Sequence, residues 1–217
     1  MNEERVLKQD LFGKVTLRPE GNGTAIVRDV TPAHWSLRWL ARRLMRREAS
    51  VLARLEHVDG VPRVLQFGKD TLTRSYIDGD PMHVAKPTDA AWFNAASALL
   101  RRLHRAGVVH NDLAKEPNIL VRKDGRPAFV DFQIASYSRR RSRLFRIAGR
   151  EDIRHLLKHK RTYCADCLTQ RERAILANPS PLSRVWMGTF KPVYLLITRK
   201  WLGWSDREGA SDRGAAG

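Results

Sequence analysis

The stretch His110-Asn111-Asp112-Leu113-Ala114-Lys115-Glu116-Pro117-Asn118-Ile119-Leu120-Val121, a turn at Lys123-Asp124-Gly125, and then Ala128-Phe129-Val130-Asp131-Phe132-Gln133 decides how this chain is read. Two short apolar runs flank a turn signal, so the segment predicts a buried hairpin. Two acids and an asparagine stand at the ends of these runs, and the hairpin collects their side chains at one edge. Asn118 and Asp131 can both ligate Mg2+, which takes oxygen donors and bridges readily to phosphates. Asp112, a few residues earlier, can accept the proton of a hydroxyl nucleophile. Lys115 is a point charge placed to neutralise a phosphoryl group during transfer.

Working outward, residues 5–8, 14–18 and 24–30 read as short strands, the last two joined by Glu20-Gly21-Asn22-Gly23. A long helix is expected over about 33–56, with Thr31 and Pro32 at its start. Leu37, Ala41, Leu44, Val51, Leu52 and Leu55 form its apolar stripe, and Glu48 falls on that stripe. A carboxylate facing a core needs a partner, and Arg28 on the preceding strand is the natural one. Strands at 61–67 and 72–77 lead to Asp78-Gly79-Asp80-Pro81, read as a turn or hinge. A second helix, about 88–106, carries Trp92, Ala96, Leu99 and Leu103 at helical spacing and stops at Gly107. Beyond Tyr137 the chain reads as helical and basic. Strands with one helix, then a hinge, then mostly helix make an α+β pattern of two lobes. The expected boundaries are 1–80 and 81–204, with 205–217 a frayed tail.

Residues 110–133 resemble the catalytic loop and metal-binding motif of the protein-kinase-like superfamily, H-R-D-L-x-x-x-N followed by D-F-G. His110, Asp112, Asn118, Asp131 and Phe132 match in order, and the 13-residue step from Asn118 to Asp131 fits the family spacing. The resemblance implies a two-lobed kinase-like fold and transfer of phosphate from ATP with Mg2+. Asp112 would orient the acceptor hydroxyl, and Asn118 and Asp131 would hold the metal. Ala25-Ile26-Val27-Arg28 resembles V-A-I-K with arginine in the lysine position, so Arg28 and Glu48 would anchor the nucleotide phosphates. The loop Gln9–Gly13 offers Gly13 alone where the family has three glycines to cover them.

The departures are specific. Asn118 stands six positions after Asp112 where the family's step is five, Gln133 replaces the glycine of D-F-G, and no A-P-E follows. These features are similar to the compact bacterial and atypical branches: RIO-type kinases, small-molecule phosphotransferases and lipopolysaccharide-core sugar kinases. Gly149-Arg150-Glu151-Asp152 resembles the last group, with Asp152 expected to begin a helix under the catalytic loop. An anionic envelope glycolipid is therefore the expected acceptor. A RIO-like serine/threonine kinase, or a catalytically weak scaffold, is the alternative.

The chain has 217 residues, and Lys plus Arg outnumber Asp plus Glu by 40 to 23, a net charge of +17. Residues 101–217 alone hold 25 Lys and Arg against 11 Asp and Glu. Such an excess points to an anionic partner. Arg139, Arg140, Arg141, Arg143 and Arg146, with Leu144 and Phe145 between them, suit anionic headgroups and a peripheral membrane contact. No nucleic-acid-binding motif is visible, which ranks nucleic acid lower. Val193–Trp204 reads as a packed helix that ends in aromatics. No run is apolar enough to span a bilayer and the start lacks a signal-peptide pattern, so the expected site is the cytoplasm, with the inner membrane face within reach. Cys164 and Cys167 read as two ordinary thiols, since a lone C-x-x-C lacks the four ligands of a zinc site.

Overall fold

Short apolar and polar alternation, broken by Gly13 and the turn before Gly23, folds residues 5–29 into an antiparallel meander. The computed structural model describes residues 4–21 and 23–178. Asn22, the helix expected at Val193–Trp204 and the tail at 205–217 lie outside the described residues. β1 (Arg5–Asp10), β2 (Gly13–Glu20) and β3 (Gly23–Asp29) are followed by α1 (Arg38–Arg54), β4 (Val64–Phe67) and β5 (Thr71–Ser75). The sheet order is β1-β2-β3-β5-β4.

On β3 and β5, Ile26 pairs with Arg74 and Arg28 with Leu72, so these four side chains share one face. The buried side of α1 covers that face: Ala41, Met45 and Ala49 cluster with Leu72. Glu48 sits among them and is fully buried. The helix begins at Arg38, later than its sequence suggests. Residues 31–37 form turns instead, with Ala33 bonded to Val30 and His34 to Leu11, which lets Ala33 pack into the core.

The second lobe holds β6 (Gly79–Pro81), α2 (Met82–Ala85), α3 (Ala90–Arg105), β7 (Val108–Val109), β8 (Ile119–Arg122), β9 (Pro127–Phe129), β10 (Ser136–Tyr137), α4 (Arg143–Tyr163) and α5 (Gln170–Ala177). The segment read as a hinge, Asp78–Pro81, is largely the edge strand of a small sheet ordered β6-β8-β9. Gly79 permits this: a Cβ there would lie 2.7 Å from the Val121 carbonyl oxygen. The β8–β9 hairpin expected around Lys123-Asp124-Gly125 forms as read.

The main core gathers Leu52, Leu55, Phe93, Leu100, Leu103, Leu113, Ile119, Phe129, Phe132 and Leu156 from both lobes. Truncating one of its aromatics, such as Phe132 to Ala, costs about 3–5 kcal/mol by lost burial and the cavity left. α4 starts six residues before the Gly149 expected from sequence, because Ser142 caps it by accepting the Phe145 N–H. Gly149 is instead interior and buried against His104. Cys164 and Cys167, read from the sequence as two ordinary thiols, are brought close together. The 3-10 turn at Ala165–Cys167 brings their Cα atoms to 5.3 Å, within bridging range.

Candidate active site

β7 is two residues long, and its end delivers His110 and Asn111 to the edge of the core. Asn111 has a positive φ of 66°, a conformation that asparagine tolerates better than most residues. Asp152, in the middle of α4, accepts the backbone N–H of His110 at 2.7 Å and of Asn111 at 2.9 Å. It therefore clamps the start of the loop from below, as the sequence led one to expect, although it does not begin its helix.

His110 is completely buried, with its ring 4.6 Å from that of Phe132. Burial pushes its pKa below the usual value, and the nearby Asp152 opposes this without reversing it. Nε2 faces the Val130 carbonyl at 3.0 Å and Nδ1 faces the Asp112 N–H at 3.3 Å. These partners assign the proton to Nε2 of a neutral ring. His110 thus ties the residue before Asp131 to the backbone of Asp112.

The extra residue between Asp112 and Asn118 is absorbed in a 3-10 turn at Glu116–Asn118. Asn118 still reaches back: its Nδ2 donates to both the backbone oxygen and Oδ2 of Asp112, each at 2.9 Å. Lys115 Nζ lies 3.0 Å from the same Oδ2. The Asp112 carboxylate is only slightly exposed and fixed from two sides, while Lys115 is mostly exposed. With Nδ2 committed to Asp112, Oδ1 of Asn118 is the oxygen left for a cation.

Asp131 holds a left-handed backbone, φ 63°, strain of the kind concentrated at functional turns. Its Oδ1 is buried without a hydrogen-bond partner among the described residues. Burial alone would raise its pKa, but Arg28, Arg74 and Lys115 and a hydrogen bond from Gln133 hold it below the ordinary carboxylate range. A buried, ionised, partly unpaired carboxylate beside a free amide oxygen fits a hard divalent cation. Asn118 and Asp131 are therefore the pair that could hold Mg2+.

Across from Asp131 stands a three-charge cluster. Arg74 Nη1 is 2.7 Å from Glu48 Oε1, whereas Arg28 Nε is 3.4 Å from Glu48 Oε2. Nε of Arg28, Nε of Arg74 and Oε2 of Glu48 are all buried without a hydrogen bond among the described residues. Two arginines thus share one carboxylate, and the surplus positive charge faces Asp131. That surplus suits nucleotide phosphates.

The structure therefore brings Arg28, Glu48, Asn118, Asp131, Asp112 and Lys115 to one place. Gly13 is different: the nearest atoms to a Cβ there are Asp29 O at 2.2 Å and Val30 Cα at 3.0 Å, so close strand packing already accounts for the glycine. All five arginines between 139 and 146 are exposed, and Arg141 Nη2 donates to the Arg105 carbonyl at 2.8 Å.

Arg74 is the residue that sequence reasoning missed. Its only local signal is its place two residues after Leu72, on the same face of the strand. The lower support was also missed: His159 Nε2 bonds the Leu113 carbonyl at 2.8 Å and Tyr163 donates to Glu116 at 2.7 Å. With Asp152 they stand seven and eleven positions apart on one face of α4, a spacing that marks them in retrospect. Arg47 reaches the Ala135 carbonyl and fastens α1 to the segment after Asp131.

The chain matches the family model of the RIO domain over residues 24–173. It is also similar in fold to the crystal structure of the Rio2 kinase from Chaetomium thermophilum, with a TM-score of 0.59 and 15% sequence identity. The likeness covers 82% of this chain and 62% of that one, so this chain spans less than two thirds of the Rio2 chain. No curated protein sequence matches it.

Proposed function

Because the chain belongs to the RIO domain family, we propose that it is an ATP-dependent phosphotransferase acting on a serine or threonine hydroxyl of a protein. The observation that carries the reading is the meeting of Asp112, Asn118 and Asp131 opposite the Arg28–Glu48–Arg74 cluster. Arg28, with Glu48 already held by Arg74, is available to the nucleotide phosphates. Mg2+ held by Asn118 and Asp131 would supply charge neutralisation for the phosphates.

Asp112 does the orienting. Asn118 and Lys115 fix one of its oxygens, which leaves the carboxylate able to accept a hydrogen bond from the acceptor hydroxyl. The acceptor oxygen forms a bond to the γ-phosphorus as the bond from that phosphorus to the leaving oxygen of ADP breaks. The hydroxyl proton goes to Asp112, and Lys115 compensates charge on the moving phosphoryl group.

The family match supports the RIO-like reading over the lipopolysaccharide-core sugar kinase. One observation keeps an anionic acceptor as the second reading, namely the five exposed arginines from Arg139 to Arg146. The test is transfer of label from γ-labelled ATP in the presence of Mg2+, with protein and envelope glycolipid offered together. Label on serine or threonine, lost in Asp131→Asn, is the expected result. Label confined to glycolipid overturns the acceptor, and no turnover in the unsubstituted protein overturns the phosphotransferase.

A further inference from the structure

The outward face of α1 has no role in the site just described. Of the helix's six arginines, Arg47 turns to the Ala135 carbonyl and Arg42 pairs with Asp70, whereas Arg43 and Arg46 are exposed on the side away from the buried Glu48. Trp35 and Trp39 stand at the start of this helix, 78% and 65% exposed. Trp39, Arg42, Arg43 and Arg46 recur at helical spacing and line one open groove. Leu11, also well exposed, sits at the same end, since its carbonyl accepts the His34 N–H at 3.1 Å. Two indoles and a leucine in water are costly unless something covers them.

We propose that this face docks on an anionic lipid bilayer. The indoles of Trp35 and Trp39 would lie at headgroup level with Leu11 beside them, and Arg43 and Arg46 would meet lipid phosphates. The charge selects the occupant. A second copy of the chain would bring a like-charged face, and the chain's own residues 178–204 carry four Lys and Arg and no acid. RNA has the right charge, and its bases stack on indoles, but stacking gains little from an exposed leucine, whereas a bilayer takes both. The proposal is independent of the phosphotransfer reading, and the test below involves no ATP.

The experiment is co-sedimentation of the full chain with vesicles of phosphatidylcholine, with and without phosphatidylglycerol. Binding only to the anionic vesicles is expected. The Trp35→Ala, Trp39→Ala double variant and the Arg43→Ser, Arg46→Ser double variant should each weaken it by about tenfold or more. All four residues are exposed, so circular dichroism should be unchanged. Raising salt from about 0.1 M to about 1 M should release the arginine contribution, because the Debye length falls from about 10 Å to about 3 Å. The face is overturned if the tryptophan variant binds normally, or if serine substitutions at Arg139, Arg140, Arg141 and Arg143 alone abolish binding. It is equally overturned if the chain ignores vesicles but retains a single-stranded RNA through Trp35 and Trp39, or if light scattering shows that these residues hold a dimer.

Discussion

Arg74 Nη1 stands 2.7 Å from Glu48 Oε1, closer than the 3.4 Å that separates Arg28 from the same carboxylate. The buried acid of α1 is therefore held chiefly by β5, and the arginine on β3 is the looser partner. The two arginines should separate by experiment. Arg74→Met should lower the melting temperature, because it leaves Glu48 poorly compensated in the interior, a loss of about 3–5 kcal/mol. Arg28→Met should act more on the KM for ATP than on stability. Equal effects of the two variants on both readouts would contradict this division.

Asp131→Asn removes the ionised oxygen from a site surrounded by Arg28, Arg74 and Lys115. Turnover should fall by about 10²-fold or more, the usual consequence of losing a main electrostatic group. The fold should persist, as seen by near-UV circular dichroism. A variant retaining a tenth or more of turnover, an order-of-magnitude threshold on the same scale, would remove Asp131 from the reaction.

Asp152→Asn should loosen the catalytic loop without touching substrate. The carboxylate uses both oxygens to accept the N–H groups of His110 and Asn111, and an amide offers only one acceptor. A loss of about 1–3 kcal/mol in stability is expected, together with a fall in kcat. Hydrogen exchange at the His110 and Asn111 amides should speed up, a change that a surface role for Asp152 would not produce.

His110 makes stability depend on pH in a definite direction. Its folded pKa lies below the ordinary 6.5, so below that value the unfolded chain binds the proton more readily. Its contribution is complete above pH 6.5 and is lost as pH falls from there toward the folded pKa. His155 shifts the same way, again chiefly through burial. His110→Gln should therefore shrink the slope of unfolding free energy against pH below 6.5 without abolishing it. An unchanged slope would mean that His110 titrates freely in the folded protein.

Much of the site was legible in the chain because its parts are local. The step from Asp112 through Asn118 to Asp131 crosses one hairpin, and Lys123-Asp124-Gly125 announces that hairpin. Glu48 could be placed in the interior because helical periodicity puts it between Leu44 and Leu52. The extra residue after Asp112 was visible too, but only the 3-10 turn shows that Asn118 still reaches the Asp112 carboxylate.

The sequence by itself determined the two-lobed α+β fold, the order of the candidate site residues and the positive charge, since each depends on neighbours along the chain. Tertiary structure alone decided which arginine holds Glu48, because β3 and β5 meet through strand pairing across more than forty residues. It also turned Asp78–Pro81 from a hinge into an edge strand, since only the approach of β8 supplies the partner. Periodicity records which side of a helix or strand is buried; it does not record what lies on the other side of the contact.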